Sequence, residues 1–302
     1  MPSPSFKYPY KTTNFVLGVI GIVFAPISIM EPDYNLNELL EYVKEQRAVD
    51  FSAYRMSTIK RRLNIRLSAA GSPDYAAYYR YVTENPAELD DLIDSLTIKV
   101  SCFFRNPFVF EALHEFVIPE LLDALNGDEL RIWCAGCARG EEPYSIAILL
   151  KELTRKEDIC LRKIFIIGSD IDREALDDAE NGLYSAESLS EIKKGYLDRY
   201  FTFNNGVYRL NEEIISMVTF AYHDVTTAST PKEGVFSDYH MILCRNVLIY
   251  FERGLYEKVL KGLSGFILKD GYLVMGEAEH MPLELMKGFD ETLARTKIFR
   301  KK

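Results

Sequence analysis

The sequence predicts an α/β fold in which a doubly wound, parallel sheet follows a small all-helical domain and carries a small antiparallel insertion. Three observations predict it. Beyond Pro107, short apolar runs alternate with amphipathic segments of helix length, as strand-helix-strand units do. From Asn35 to Val100, apolar residues recur instead at three- and four-residue steps, and the segments open on helix start signals. Between Arg199 and Val218, Asn205-Gly206 separates an aromatic run from a branched one, which is the chemistry of a tight β-hairpin.

Residues 1–29 read as an apolar N-terminal extension. The stretch from Phe15 to Met30 follows Lys7 and Lys11 in the manner of a signal peptide, but Pro26 interrupts it and no small-x-small site follows. It is shorter than the roughly 20 residues of a bilayer span, so no stable membrane insertion is expected. Residues 30–100 form the helical domain, in which Ser72-Pro73 and Asn85-Pro86 read as caps with proline in the first turn. A helix from about Phe51 to Ala70 sets Met56, Ile59, Leu63 and Leu67 on one face and Arg55, Arg62 and Arg66 along an adjoining stripe. That stripe is either a solvated face or a docking surface for an acidic helical partner. Residues 101–128 are the linker and first helix of the catalytic domain, and 129–302 hold the rest, with the hairpin inserted at about 199–218. Strands are expected at Leu130-Cys134, Ile164-Ser169, Val218-Tyr222, Tyr239-Cys244 and Tyr272-Gly276, and helices at Pro143-Leu153, Arg173-Asn181 and Leu255-Leu268.

Composition bounds the function. With 302 residues, 48% of them hydrophobic, the chain can bury a substantial core. A net charge of -9 argues against a general nucleic-acid binder, which needs a surplus of Lys and Arg on an extended face. The five cysteines, Cys102, Cys134, Cys137, Cys160 and Cys244, follow no framework spacing and suit reduced thiols in a cytosol. Cys134 and Cys137 form a lone C-x-x-C without a second ligand pair, so no metal is expected and the two read as small residues in a tight turn.

The first strand ends in Trp133-Cys134-Ala135-Gly136-Cys137-Ala138-Arg139-Gly140-Glu141-Glu142, beyond a carboxyl strand end where doubly wound sheets bind ligands. Gly136 and Gly140 let backbone approach a ligand, and two acids beside them argue for a cation rather than a phosphate. The next strand closes on Asp170-Ile171-Asp172. Asp172 serves as a helix cap, which leaves Asp170 to bridge neighbouring ribose hydroxyls. The residues thus point to a nucleoside with a positive tail. Trp133 reads as packing beneath the loop.

The run from Cys134 to Ser145, with Ser101-Cys102-Phe103-Phe104-Arg105 upstream and Cys244-Arg245-Asn246-Val247-Leu248-Ile249-Tyr250-Phe251 downstream, resembles the CheR-type chemotaxis receptor methyltransferases, and the match extends from about Asn35 to the C-terminus. The resemblance implies a class I S-adenosylmethionine-dependent methyltransferase domain behind a helical N-terminal domain. It implies that Ser101, Arg105, Gly136, Glu141 and Asp170 line the cofactor, that Asp224 and Val225 flank its adenine, and that Asn246 and Tyr250 lie at the methyl-transfer end. Arg105 and Tyr250 are the expected catalytic residues, Glu141 the partner of the cofactor's ammonium, and Arg55, Arg62 and Arg66 the substrate-docking residues. The implied substrates are glutamates in the cytoplasmic helical region of methyl-accepting chemotaxis receptors, the product cofactor is S-adenosylhomocysteine, and the enzyme works in the cytoplasm, recruited to membrane receptors. The hairpin resembles the small sheet that grips a receptor's C-terminal peptide in some members. Lys99 stands where many members have Asn, Ser101 where Thr is usual, and Arg139 where Ser or Thr is common.

A glutamate carboxylate is ionised near neutral pH, so its methylation by a sulfonium needs neither a general base nor a metal, only positioning and exclusion of water. The residues leave open two other readings: a methyltransferase acting on another protein or a small acid, and a signalling protein that binds the cofactor without transfer.

Overall fold

Apolar residues three and four apart draw together α1 (Pro32–Arg47), α2 (Met56–Ala69), α3 (Tyr75–Glu84) and α4 (Pro86–Leu96) around a core that includes Leu39, Val43, Ile59, Leu63, Tyr78 and Leu92. The computed structural model describes residues 32–47, 49–97, 101–125, 129–157, 163–234 and 236–302. The apolar stretch before Met30, Lys99 and Cys160 lie outside the described residues.

Two local expectations are corrected here. The helix expected from Phe51 begins at Met56, because Phe51 is buried by a turn that leads Tyr54 into an antiparallel bridge with Phe251. The cap expected at Ser72 is supplied by Asp74, whose carboxylate accepts from Ala77 N at 2.8 Å.

The chain then forms α5 (Pro107–Ala112), a π-helical turn (Leu113–Val117) and α6 (Ile118–Leu125) before entering the sheet. Strands β1 (Glu129–Ala135) and β2 (Lys163–Asp170) are separated by α7 (Glu141–Glu157), and α8 (Arg173–Asn181) leads to β3 (Leu183–Tyr184). After α9 (Lys194–Tyr200), the hairpin β4 (Phe201–Asn204) and β5 (Val207–Leu210) turns at Asn205 and Gly206, both with positive φ, as a two-residue turn demands. Next come α10 (Glu212–Ile215), β6 (Val218–Tyr222), β7 (Tyr239–Cys244), α11 (Arg253–Gly265), β8 (Ile267–Met275), α12 (Leu283–Met286), β9 (Phe289–Glu291) and β10 (Ile298–Lys301).

The large sheet runs β6-β2-β1-β7-β8-β10-β9, and the inserted sheet runs β3-β5-β4. β1 pairs in parallel with β2 on one side and β7 on the other, so strand order reverses at β1. Its last four residues are buried, as befits a strand covered on both faces. Trp133 lies wholly inside, donating Nε1–H to Ser169 Oγ at 2.8 Å beneath the glycine turn. Strands β3, β9 and β10, beyond those expected, have two to four residues each, too little length to show a period in sequence.

The helical half is tied to the sheet beside the loop after β7. Arg55 N donates to Tyr250 O at 2.8 Å, Glu252 N to Ala53 O at 2.9 Å, and Tyr54 meets Phe251 edge-on at 4.9 Å. No helix among the described residues is long and apolar enough to cross a membrane.

Candidate active site

A cavity of about 350 Å³ opens at the carboxyl ends of β1, β2, β6 and β7, roofed by the helical half. The reversal of strand order at β1 leaves this crevice, since the crossovers on its two sides leave in opposite directions. Tyr54, from the turn before α2, and Thr58 and Arg62, from α2, enter from the helical half, Ser101, Cys102 and Arg105 from the linker, and Gly136, Asp170, Asp224, Val225, Asn246 and Tyr250 from the strand ends.

The floor is the turn after β1. Gly136 N and Cys137 N both donate to Ser169 O, at 2.7 and 3.0 Å, which folds the chain back with Gly136 at φ +76°. A Cβ at Gly136 would stand 2.3 Å from Val247 Cγ2, so the position excludes any side chain. Asp170 holds the same turn: Oδ2 accepts from Ala138 N at 2.8 Å and Oδ1 from Asp172 N at 3.0 Å. Its burial pushes the carboxyl pKa up, against the lowering effect of those N–H donors. Asp172 caps α8 through Ala175 N, leaving Asp170 facing the cavity. Asp224 accepts from Thr226 N at 2.9 Å, which sets Val225 in the wall beside it.

The two acids at the start of α7 divide differently from the sequence assignment. Glu141 is 1% exposed and does not line the cavity; Glu142 does. Successive residues in a helix point about 100° apart, so the two acids face different surroundings, and Glu141 is the buried one. Desolvation pushes its pKa up to about 7, and its Oε2 lacks a hydrogen-bond partner among the described residues. Glu142 pairs with Arg245 at 3.0 Å, and burial raises its pKa while that guanidinium opposes the rise.

Arg245 was not singled out from the sequence, although it stands inside the Cys-Arg-Asn run. Besides Glu142, it donates to Arg105 O at 2.8 Å and Asn106 Oδ1 at 3.1 Å, and its guanidinium lies over the Phe110 ring at 5.3 Å. It therefore fixes the linker that brings Arg105 to the cavity. Tyr54 and His223 were likewise not anticipated. Tyr54 lines the same cavity as Asp224 and Asp170, and burial, with those carboxylates adding, raises its hydroxyl's pKa.

Tyr250 lines the cavity as well. It ends a 3-10 turn (Leu248–Tyr250), and burial raises its pKa against the opposing guanidinium groups of Arg62, Arg105 and Arg61. Of the three arginines expected on a docking stripe, Arg62 alone lines the cavity, donating to Ser95 O at 3.0 Å. Arg55 donates Nε–H to Phe251 O at 3.2 Å, and Arg66 forms a two-point pair with Glu88 at 3.1 and 2.7 Å and reaches Asp91 at 2.9 Å. Buried Glu88 draws Arg66 inward, while Arg55 stays exposed at the join between the helical half and the loop after β7. Arg139 is accounted for as well, pairing with Asp178 at 3.2 Å while its carbonyl accepts from Tyr184 OH. Cys134 and Cys137 are both buried, and burial holds their thiols far above the ordinary range.

A glycine-floored crevice at the reversal point of a doubly wound sheet, ringed by Asp170, Asp224 and Glu142, defines a class I S-adenosylmethionine-dependent methyltransferase. The residues fit that cofactor: carboxylates suit hydroxyls and positive charge, the Gly136 turn admits a close ligand, and Asn246 Oδ1 is buried without a partner among the described residues. The chain belongs to the CheR methyltransferase family, with residues 99–298 matching its SAM binding domain and 35–97 its all-alpha domain. It is 32% identical over 278 residues to the putative methyltransferase Cher3 of Pseudomonas putida, covering 89% of this chain and 97% of that one. It is 29% identical over 254 residues to the chemotaxis protein methyltransferase of Escherichia coli, covering 82% and 85%. An uncharacterized 104.1 kDa protein of Rhodobacter capsulatus is 30% identical over 273 residues, which are 90% of this chain and 28% of that larger protein.

Proposed function

We propose that this methyltransferase esterifies glutamate side chains in the cytoplasmic helical region of methyl-accepting chemotaxis receptors, acting in the cytoplasm and recruited to those membrane receptors. The observation that carries the reading is the charge lining the cavity: the carboxylates of Asp170, Asp224 and Glu142 share it with the guanidinium groups of Arg62 and Arg105. The guanidinium groups suit an anionic acceptor, and the carboxylates suit a sulfonium nucleoside.

Bound S-adenosylmethionine supplies an electrophilic methyl group and becomes S-adenosylhomocysteine. Asp170 accepts from ribose hydroxyls, Asp224 and Val225 flank the adenine, and Gly136 and Ser101 line the nucleoside and its chain. Glu142, held by Arg245, takes the role first assigned to Glu141 toward the ammonium. Arg105 orients a carboxylate, and Asn246 and Tyr250 bound the space where the acceptor oxygen meets the methyl group. None of these residues removes a proton, since the acceptor is already an anion. Their work is alignment and exclusion of water.

The test is incubation of the protein with methyl-labelled cofactor and receptor-bearing membranes. Base-labile label on receptor glutamates is the expected result. Label on another protein or a small acid, or binding without any transfer, would overturn the receptor reading.

A further inference from the structure

The loop that carries Asn246 and Tyr250 has to be held still, and the holding group lies outside the cavity. Glu279 is 1% exposed and follows β8 by four residues. Its Oε1 accepts from Val247 N at 3.0 Å and Leu248 N at 2.8 Å, and its Oε2 from Gly276 N at 2.6 Å. Two successive amides converge on one oxygen because Asn246 adopts φ +62°, which turns the backbone into a small anion-binding concavity. Asparagine tolerates that left-handed conformation better than most non-glycine residues, and the two amide bonds to Glu279 hold it there.

The strand end leaves no slack. A Cβ on Gly276 would lie 2.7 Å from Asn246 N, 2.8 Å from Glu279 Oε2 and 3.0 Å from Asn246 Nδ2. On its other side, Val247 rests on the Gly136 turn. One buried carboxylate therefore sets the distance between the end of β8, the methyl-transfer loop and the cofactor floor.

We propose that Glu279 is a positioning residue for methyl transfer, acting through Asn246, Val247 and Tyr250 rather than by touching ligand. The inference rests on the functional reading above. A glutamine at 279 keeps one acceptor oxygen and turns an NH₂ group toward amide donors, so at least one of the three bonds is lost and replaced by a donor-donor conflict.

The experiment uses the full chain, methyl-labelled S-adenosylmethionine and receptor-bearing membranes, with S-adenosylhomocysteine affinity measured by calorimetry. Glu279→Gln should lower kcat by roughly tenfold or more while cofactor KM and product Kd stay within about threefold, because a shifted loop misaligns the acceptor but leaves Asp170 and Glu142 in place. Glu279→Asp, which keeps the carboxylate but draws it back by one methylene, should show the same split to a lesser degree and decides the matter if the glutamine variant does not fold. A kcat within about twofold of wild type in the folded variants, or kcat and affinity falling together, would overturn the inference alone. No transfer by the wild-type chain would overturn both it and the functional reading.

Discussion

Replacing Gly136 by alanine is the sharpest perturbation of the floor. The backbone there has φ +76°, where a Cβ costs roughly 1 kcal/mol. The new methyl would lie 2.3 Å from Val247 Cγ2 and 3.4 Å from Val247 Cβ and Cγ1. Ordinary carbon contacts begin at about 3.5 Å, so one side must retreat by about 1 Å. Neither retreats easily: Ser169 O holds the turn through two amides, and Glu279 holds the Val247 amide. Overpacking of this kind costs about 1–3 kcal/mol, which with the backbone strain gives about 2–4 kcal/mol. That cost falls on folding, and because the displaced atoms border the cavity we expect the S-adenosylhomocysteine Kd to rise as well, by roughly tenfold or more. Titration calorimetry measures the Kd, and urea unfolding reports the share taken by stability. An alanine variant with unchanged Kd and unchanged unfolding midpoint would refute the reasoning.

Asp170→Ala should weaken cofactor binding by at least roughly tenfold, since it removes the ribose acceptor and strands the Ala138 and Asp172 amides; calorimetry showing wild-type affinity would dismiss the assignment. Glu141 has a folded pKa raised to about 7 by burial, so the folded state holds a proton that the unfolded state releases, and stability should fall as pH rises from about 4.5 to about 7. Glu141→Gln should therefore raise the unfolding free energy at pH 8 by an amount on the order of 3 kcal/mol, seen as a higher melting temperature, and change little at pH 5; a variant less stable at pH 8 would contradict the burial argument. Arg66→Glu leaves buried Glu88 unpaired beside a second acid and should destabilise the helical half by about 3 kcal/mol or more in chemical unfolding. Arg62→Glu should instead spare stability and lower receptor methylation by roughly tenfold with cofactor affinity kept; equal effects from the two reversals would reject their separation.

Much of the site was legible because its residues cluster in short runs at strand ends. Gly136 and Asp170 are readable from a strand pattern followed by glycine or acid, since a doubly wound sheet sends every such loop to one edge. Asn246 and Tyr250 were reached through the resemblance of their run, not through any period of their own. Glu142 and Arg245 escaped for a different reason. Two adjacent acids are equivalent on paper, and the choice between them depends on where α7 begins and which way its first turn faces. The partner of Glu142 is 103 residues away, and no local pattern encodes that pairing.

The sequence by itself determined the alternation that forces a parallel sheet, the hairpin at Asn205-Gly206 and the chemistry gathered at the strand ends, because these rest on side-chain period, backbone freedom and charge within a few residues. Tertiary structure alone decided which carboxylate faces the cavity, that Arg66 serves its own domain, that Tyr54 roofs the crevice, and that Glu279 holds the loop from behind. Those outcomes are set by burial and by pairing across long separations, where a buried charge takes whichever partner the packed elements bring within reach.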